Sequence, residues 1–305
     1  MIPTFAATAR IGSAGAGRWT VLLLGVGLSL AGCASRPVAT PGQTAATQGP
    51  YGSGPLVPAD RVPDFASRNF EPFTRADVVG IALAQWRMFG QPVDDDPPDT
   101  RPVPAPADKP ERQPGLWQQV GQYWWIGQDP GESEAGWTGK HDVDGHVFRA
   151  GGDAHYAWSA AFISYVMRVA GAGTRFPYSP NHATYVNAAA SGGSPILRAR
   201  NPVDYAPQPG DLICMGRGRS AVLRFADLPT PTLWPGHCDI VVSRAPGMLS
   251  VLGGNVDDAV TMKHVPVTAD GRLASADGTV VDSRYPWMAV LEVAYDAETE
   301  PASDE

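Results

Sequence analysis

The 305-residue chain is short of positive charge, of cysteine and of long apolar runs, and each shortage closes off a class of function. Lys and Arg number 23 against 31 Asp and Glu, a formal net charge of −8. A surface of that sign repels phosphate backbones and anionic lipid headgroups, so nucleic-acid binding is excluded. There are three cysteines, at 33, 214 and 238, none with metal-ligand partners at a spacing that builds a site. No metal and no cofactor is expected. The N-terminal apolar run, Val21 to Leu30, is shorter than the roughly 20 residues that span a bilayer. What is plentiful is proline and glycine, 30 and 34 residues, which points to a loop-rich fold. With 43% hydrophobic and 18% charged residues, the composition suits one globular domain with extra segments.

The N-terminus reads as an address. Arg10 and Arg18 precede the apolar run, which ends in Leu30-Ala31-Gly32-Cys33. That ending resembles the lipobox of bacterial lipoproteins, in which the cysteine, here Cys33, is lipidated and becomes the new N-terminus. Acyl chains on Cys33 anchor a protein firmly to a membrane. Ala34 and Ser35 are not acidic, which favours the outer membrane, with the protein facing the periplasm. Without residues 1–33 the balance becomes 21 basic against 31 acidic side chains. Residues 34–70 form a flexible tether rich in Ala, Pro, Gly, Ser and Thr. The acidic tail, 297–305, is expected to be disordered.

Between tether and tail, residues 71–296 read as a single α+β domain. Thr74 caps a helix with the stripe Val78, Ile81, Ala82, Trp86 and Phe89, stopped at Gly90 and Pro92. Residues 91–115 hold eight prolines and the run Asp94-Asp95-Asp96, an extended loop or linker. In the following segment, 116–126, Trp117, Val120 and Trp124 share one helix face, as core aromatics do. His141, Asp142, Asp144 and His146 have the letters of a metal site, but Asp-Gly is also a turn signal and the spacing fixes no ligand set. Ser179-Pro180-Asn181-His182 reads as a helix start, with Ser179 capping and Pro180 in the first position. Pro209 to Met215 reads as turn then strand, and further strands are expected from Gly236, at Leu249 to Leu252, at Val260 to Val265 and at Trp287 to Val293, forming an antiparallel sheet. Cys214 and Cys238 fall in two of these strands, either bonded in an oxidising compartment or as buried thiols.

The chemistry centres on Trp158 to Met167. Apolar residues at 158, 162, 166 and 169 recur at helical spacing, and the segment is hydrophobic almost all round, which places it inside the domain. Ser159 lies in its first turn, where free N–H groups and the positive dipole end favour developing negative charge. His155, four residues earlier, and His182 are candidates for lining the same cleft.

The order of four motifs carries a resemblance. Trp158-Ser159-Ala160-Ala161-Phe162 opens a helix, Pro209-Gly210-Asp211-Leu212 enters a strand, Gly236-His237 starts the next, and Gly253-Gly254-Asn255 follows. This order resembles the CHAP and NlpC-type papain-like cell-wall amidases and peptidases over residues 150–265. It is closer still to a group of bacterial lipoproteins of unknown function that share the Trp-Ser-Ala-Ala-Phe segment. The resemblance implies N-terminal helices packed on a small antiparallel sheet, with peptidoglycan or its stem peptides as partner. It also implies a site of Ser159, His237 as base and Asn255 in the orienting position. Asp239, two residues along from His237, shares its face and offers the carboxylate that serine hydrolases use. Trp158, His155, His182 and Arg224 are the remaining cleft candidates.

One atom departs from the pattern. Ser159 stands where the relatives have cysteine, and a hydroxyl, unlike a thiol, needs a true general base. Two function classes therefore stand side by side. One is a hydrolase of peptidoglycan peptide amides with Ser159 as nucleophile. The other is a catalytically silent lipoprotein that keeps the cleft and binds peptidoglycan or a protein. A structural envelope protein is the third reading.

Overall fold

The structure is a computed structural model that describes residues 71–102, 104–129, 131–149 and 155–296. The leader with Cys33, the tether 34–70 and the tail 297–305 lie outside the described residues. Among the described residues, four α-helices precede or flank one six-stranded sheet. Helix α1 spans Arg75–Met88, α2 Leu116–Gly127, α3 Ser159–Val169 and α4 His182–Ser191. The strands are β1 Leu197–Arg200, β2 Leu212–Gly216, β3 Gly236–Ala245, β4 Met248–Val256, β5 Ala259–Pro266 and β6 Trp287–Val293. Their order across the sheet is β1-β6-β2-β3-β4-β5, and every neighbouring pair is antiparallel. The α+β class with helices on an antiparallel sheet holds. Strand β1 is an addition, a short edge strand with one clearly inward side chain, Leu197, and too little periodicity to declare itself.

Local chemistry explains the helix ends. Thr74 Oγ1 accepts from the Asp77 N–H at 3.1 Å and opens α1. At α4 the cap is Asn181, whose Oδ1 accepts from Ala183 N–H at 2.8 Å, and not Ser179. Ser179 instead accepts from the Asn181 N–H at 3.1 Å, one step outside the helix. The shift matters because it makes His182 the first residue of α4. Gly127, at the end of α2, is required for space: a Cβ there would lie 2.5 Å from the Ala161 carbonyl oxygen on α3.

The described residues of the Pro-rich stretch 91–115 are not wholly extended: they include two short 3-10 turns, Pro98–Thr100 and Pro110–Arg112, each opened by a proline, and the stretch is anchored along the sheet. Asp94 N–H bonds Met262 O at 2.9 Å, and Met262 N–H bonds Pro92 O at 3.0 Å. Arg101 then clasps Asp94 at 2.8 Å and Asp257 at 3.1 Å, and Lys109 reaches Asp258 at 3.1 Å. Backbone bonds at Pro92 and Asp94 and the ion pairs of Arg101 and Lys109 share the anchorage.

The sheet separates two cores. On the helical side, Trp124, Trp158, Phe162, Cys214, Cys238, Ile240, Leu252 and Leu291 pack with α1 to α4. On the other side, Ile213, Met215, Val241, Val251, Val265, Tyr285 and Trp287 form a smaller core. Burying an aromatic or aliphatic side chain of this kind contributes about 1.5–3 kcal/mol. Cys214 and Cys238 face each other directly across β2 and β3 and are disulfide-bonded. Of the two open readings of this pair, the bonded one holds.

Candidate functional site

Ser159 is the first residue of α3, so its backbone N–H has no acceptor within the helix. Its side chain is 3% exposed. The Oγ atom lies 2.7 Å from His182 Nε2, at the start of α4. His182 Nδ1 in turn lies 2.7 Å from the Tyr185 hydroxyl, one helical turn further along α4. The first cluster is therefore Ser159–His182–Tyr185, assembled from the N-termini of two helices. Tyr185 is fully buried, and burial holds its phenol well above the ordinary range, hence protonated. Burial also pushes His182 well below its ordinary value, with the nearby His237 adding to the effect. His182 is a neutral imidazole at neutral pH.

A second cluster comes from the sheet. His237 begins the inward run of β3, and its Nε2 lies 2.8 Å from Asp239 Oδ1. The carboxylate accepts only, so His237 must donate Nε2–H, and in the neutral ring the lone pair sits on Nδ1. That atom is buried and has no hydrogen-bond partner among the described residues. The other oxygen, Asp239 Oδ2, lies 2.6 Å from Lys263 Nζ on β5. Lys263 is 1% exposed, with its ammonium 4.8 Å from the Tyr285 ring centre and 5.5 Å from that of Trp287. Burial alone would raise Asp239, but Lys263 and His237 together outweigh it and hold the carboxyl below its usual range. Burial likewise lowers His237, and Asp239 partly restores it. Gly253 makes room for this pair: a Cβ there would sit 2.1 Å from Asp239 Oδ1 and 2.9 Å from His237 Nε2.

The two clusters start on different sides of the sheet. Asp239 pairs across to Ile213 and His237 to Met215, both in the smaller core, whereas α3 packs on the opposite face. They meet where β3 begins, with the His182 and His237 rings 5.4 Å apart between centres. No hydrogen bond joins Ser159 to His237. The expected direct pairing is replaced by Ser159–His182, because Asn181 capping turns the first residue of α4 onto the start of α3.

The other sequence candidates scatter. Asn255 takes a left-handed backbone (φ 55°) where the β4–β5 register shifts, and it makes no hydrogen bond to His237. Asp239 holds the ring instead. Trp158 is buried core; its indole N–H donates to Glu111 Oε2 at 2.7 Å, and its ring stacks on Phe89. His155 is exposed. Arg224 is exposed, bonds carbonyls of its own loop, and lines a cleft of about 620 Å³ whose lining also includes Tyr285 and Trp287. The lining of that cleft includes none of Ser159, His182 or His237. On an exposed loop, Asp142, Asp144 and His146 bring ligand atoms within 4.8 Å of one another, and Asp142 already accepts the N–H groups of the other two.

Two members of the clusters were not singled out from sequence. Tyr185 stands at i+3 from His182, the spacing of same-face helical neighbours. Lys263 sits in the inward column of β5 with Thr261 and Val265, so strict alternation marks it as a buried cation.

Among curated proteins and among solved structures, no match is found. Residues 111–293, which are 183 of the 305 and include every member of both clusters, match the family described as "Uncharacterized protein conserved in bacteria (DUF2272)", and the chain belongs to that family.

Proposed function

We propose that the protein is an envelope-anchored hydrolase that cuts amide bonds in the peptides of peptidoglycan, with Ser159 as nucleophile and the His237–Asp239 pair as its base. The observation that carries the reading is the His237 ring. Its tautomer is fixed by Asp239, its Nδ1 lone pair is buried without a partner, and its ring touches that of the histidine bonded to Ser159. A buried acceptor left open costs about 1–3 kcal/mol, and here it belongs to a ring whose other nitrogen is held by a carboxylate, the arrangement a general base needs. In the acting site, Ser159 Oγ bonds to the carbonyl carbon as its proton passes to His237 Nδ1. The imidazolium is stabilised by Asp239 and then gives the proton to the departing amine. Water repeats the steps to free Ser159. The envelope setting and the peptide substrate follow from the resemblances to lipoproteins and to CHAP and NlpC-type enzymes.

A second reading, a silent binder, is favoured by one observation: Ser159 and His182 are each 3% exposed, and Ser159 is not bonded to His237. The test is muropeptide release from purified sacculi by the full chain and by its Ser159→Ala variant. Release by the former alone is expected. No release by either removes the hydrolase, and co-sedimentation with sacculi then identifies the binder.

A further inference from the structure

Ser159, His182 and Tyr185 form a chain of two hydrogen bonds between three groups, and the direction of those bonds decides what His182 can do. A neutral imidazole donates from one nitrogen and accepts at the other. If Tyr185 donates to Nδ1, then Nε2–H donates to Ser159 Oγ, and the serine proton is left over. If Tyr185 accepts, the phenol proton is left over instead. The ends are not equivalent. Tyr185 is 0% exposed, its ring lies against Phe176, and among the described residues its hydroxyl has no hydrogen-bond partner besides His182 Nδ1. Ser159 is the end with residual exposure, and the ring of His237, whose Nδ1 is an unfilled acceptor, lies 5.4 Å from the His182 ring between centres. The chain is satisfied best when the phenol donates, Nε2 carries the proton, and the serine proton is the one left available.

We infer that His182 is an oxyanion donor: held by Tyr185 as the Nε2–H tautomer, it supplies the hydrogen bond that stabilises the negative oxygen formed when Ser159 attacks an amide. The inference rests on the hydrolase reading. It also explains why the site holds two histidines with different partners. His237, backed by a carboxylate, takes a proton; His182, backed by a phenol, gives only a hydrogen bond and stays neutral. Before substrate arrives, Nε2–H rests on Ser159 Oγ. As the Oγ–C bond forms, the carbonyl π pair moves to oxygen, and that oxygen lies one bond from the reacting carbon, next to Oγ. It takes over the Nε2–H bond and shares the free N–H of Ser159 at the start of α3. Tyr185 is a positioning residue, acting through the ring it orients.

The experiment has two arms on the full chain. Nitrogen–proton correlation spectra, with His182 assigned by His182→Gln, read the tautomer directly; protonated Nε2 with bare Nδ1 is expected. Kinetics on a stem peptide read the role. His182→Ala is expected to lower kcat about 10²–10³-fold with KM little changed, as loss of one oxyanion donor does. His182→Gln keeps an N–H donor and is expected to recover most of that loss. Tyr185→Phe, which keeps the packing, is expected to give a mixture of tautomers and an intermediate kcat. A protonated Nδ1 in an active wild-type enzyme overturns the inference and leaves the hydrolase standing, as does unchanged kcat in a folded His182→Ala protein. Absence of muropeptide release by the wild type removes both.

Discussion

Replacing Lys263 by methionine tests how the buried charges are balanced. Asp239, His237 and Lys263 are 0%, 3% and 1% exposed, so solvent screens none of them. Removing one partner of a buried ion pair costs about 3–5 kcal/mol, mostly through the charge left behind. Methionine has nearly the volume of lysine and stays against the Tyr285 and Trp287 rings, so little of that cost is packing. Asp239→Asn combined with Lys263→Met removes both charges, and the double variant is expected to recover at least about 2 kcal/mol of the loss. Urea denaturation at pH 8 measures each value. The pH dependence is the sharper test. In the wild type, burial puts His237 below its unfolded value of about 6.5, so its contribution is full above that pH and is lost as pH falls toward the folded value. Without Lys263, one of the causes that lower His237 is gone, so its folded value moves back up toward the unfolded one and less stability is lost as pH falls. The cost of Lys263→Met is therefore expected to shrink from pH 8 to pH 5.5. Asp257, which burial and its bond with Asp94 push up to about 6, titrates in both proteins and cancels in the difference. A cost that stays flat or grows toward pH 5.5, or a double variant no better than the single, would refute this account of the site.

Gly253→Ala places a methyl group 2.1 Å from Asp239 Oδ1 and is expected to cost about 1–3 kcal/mol while displacing the His237 ring, seen as a loss of muropeptide release larger than the loss of thermal stability. Cys214→Ser with Cys238→Ser opens a cross-link between residues 24 apart, and the loss by chemical denaturation is expected to be about 3 kcal/mol. Asn181→Ala removes the cap that seats His182 and is expected to cost about 1 kcal/mol, with the His182 tautomer signal broadened; an unchanged melting temperature would count against the capping assignment.

Much of this protein is written in short-range pattern. The 3.6-residue spacing of Trp158, Phe162 and Val166 fixes α3 as a central helix, because no other conformation buries that set at once. The alternation around Ile240, Val251 and Val265 fixes an antiparallel sheet, and the two-residue step from His237 to Asp239 puts imidazole and carboxylate on one face whatever the fold around them. Cysteines in two separate strands left their pairing open, because register depends on which strands are neighbours; the β2–β3 register closed it. Which imidazole Ser159 meets was likewise beyond the sequence. Motif order names His237, but the approach of α4 to α3 is set by Asn181 capping and by helix packing over a long connection, and it delivers His182 instead. Each histidine finds its own partner locally, Tyr185 at i+3 on α4 and Asp239 at i+2 on β3; tertiary structure alone decided that the two pairs meet, because only packing brings elements so far apart in the chain to a ring separation of 5.4 Å.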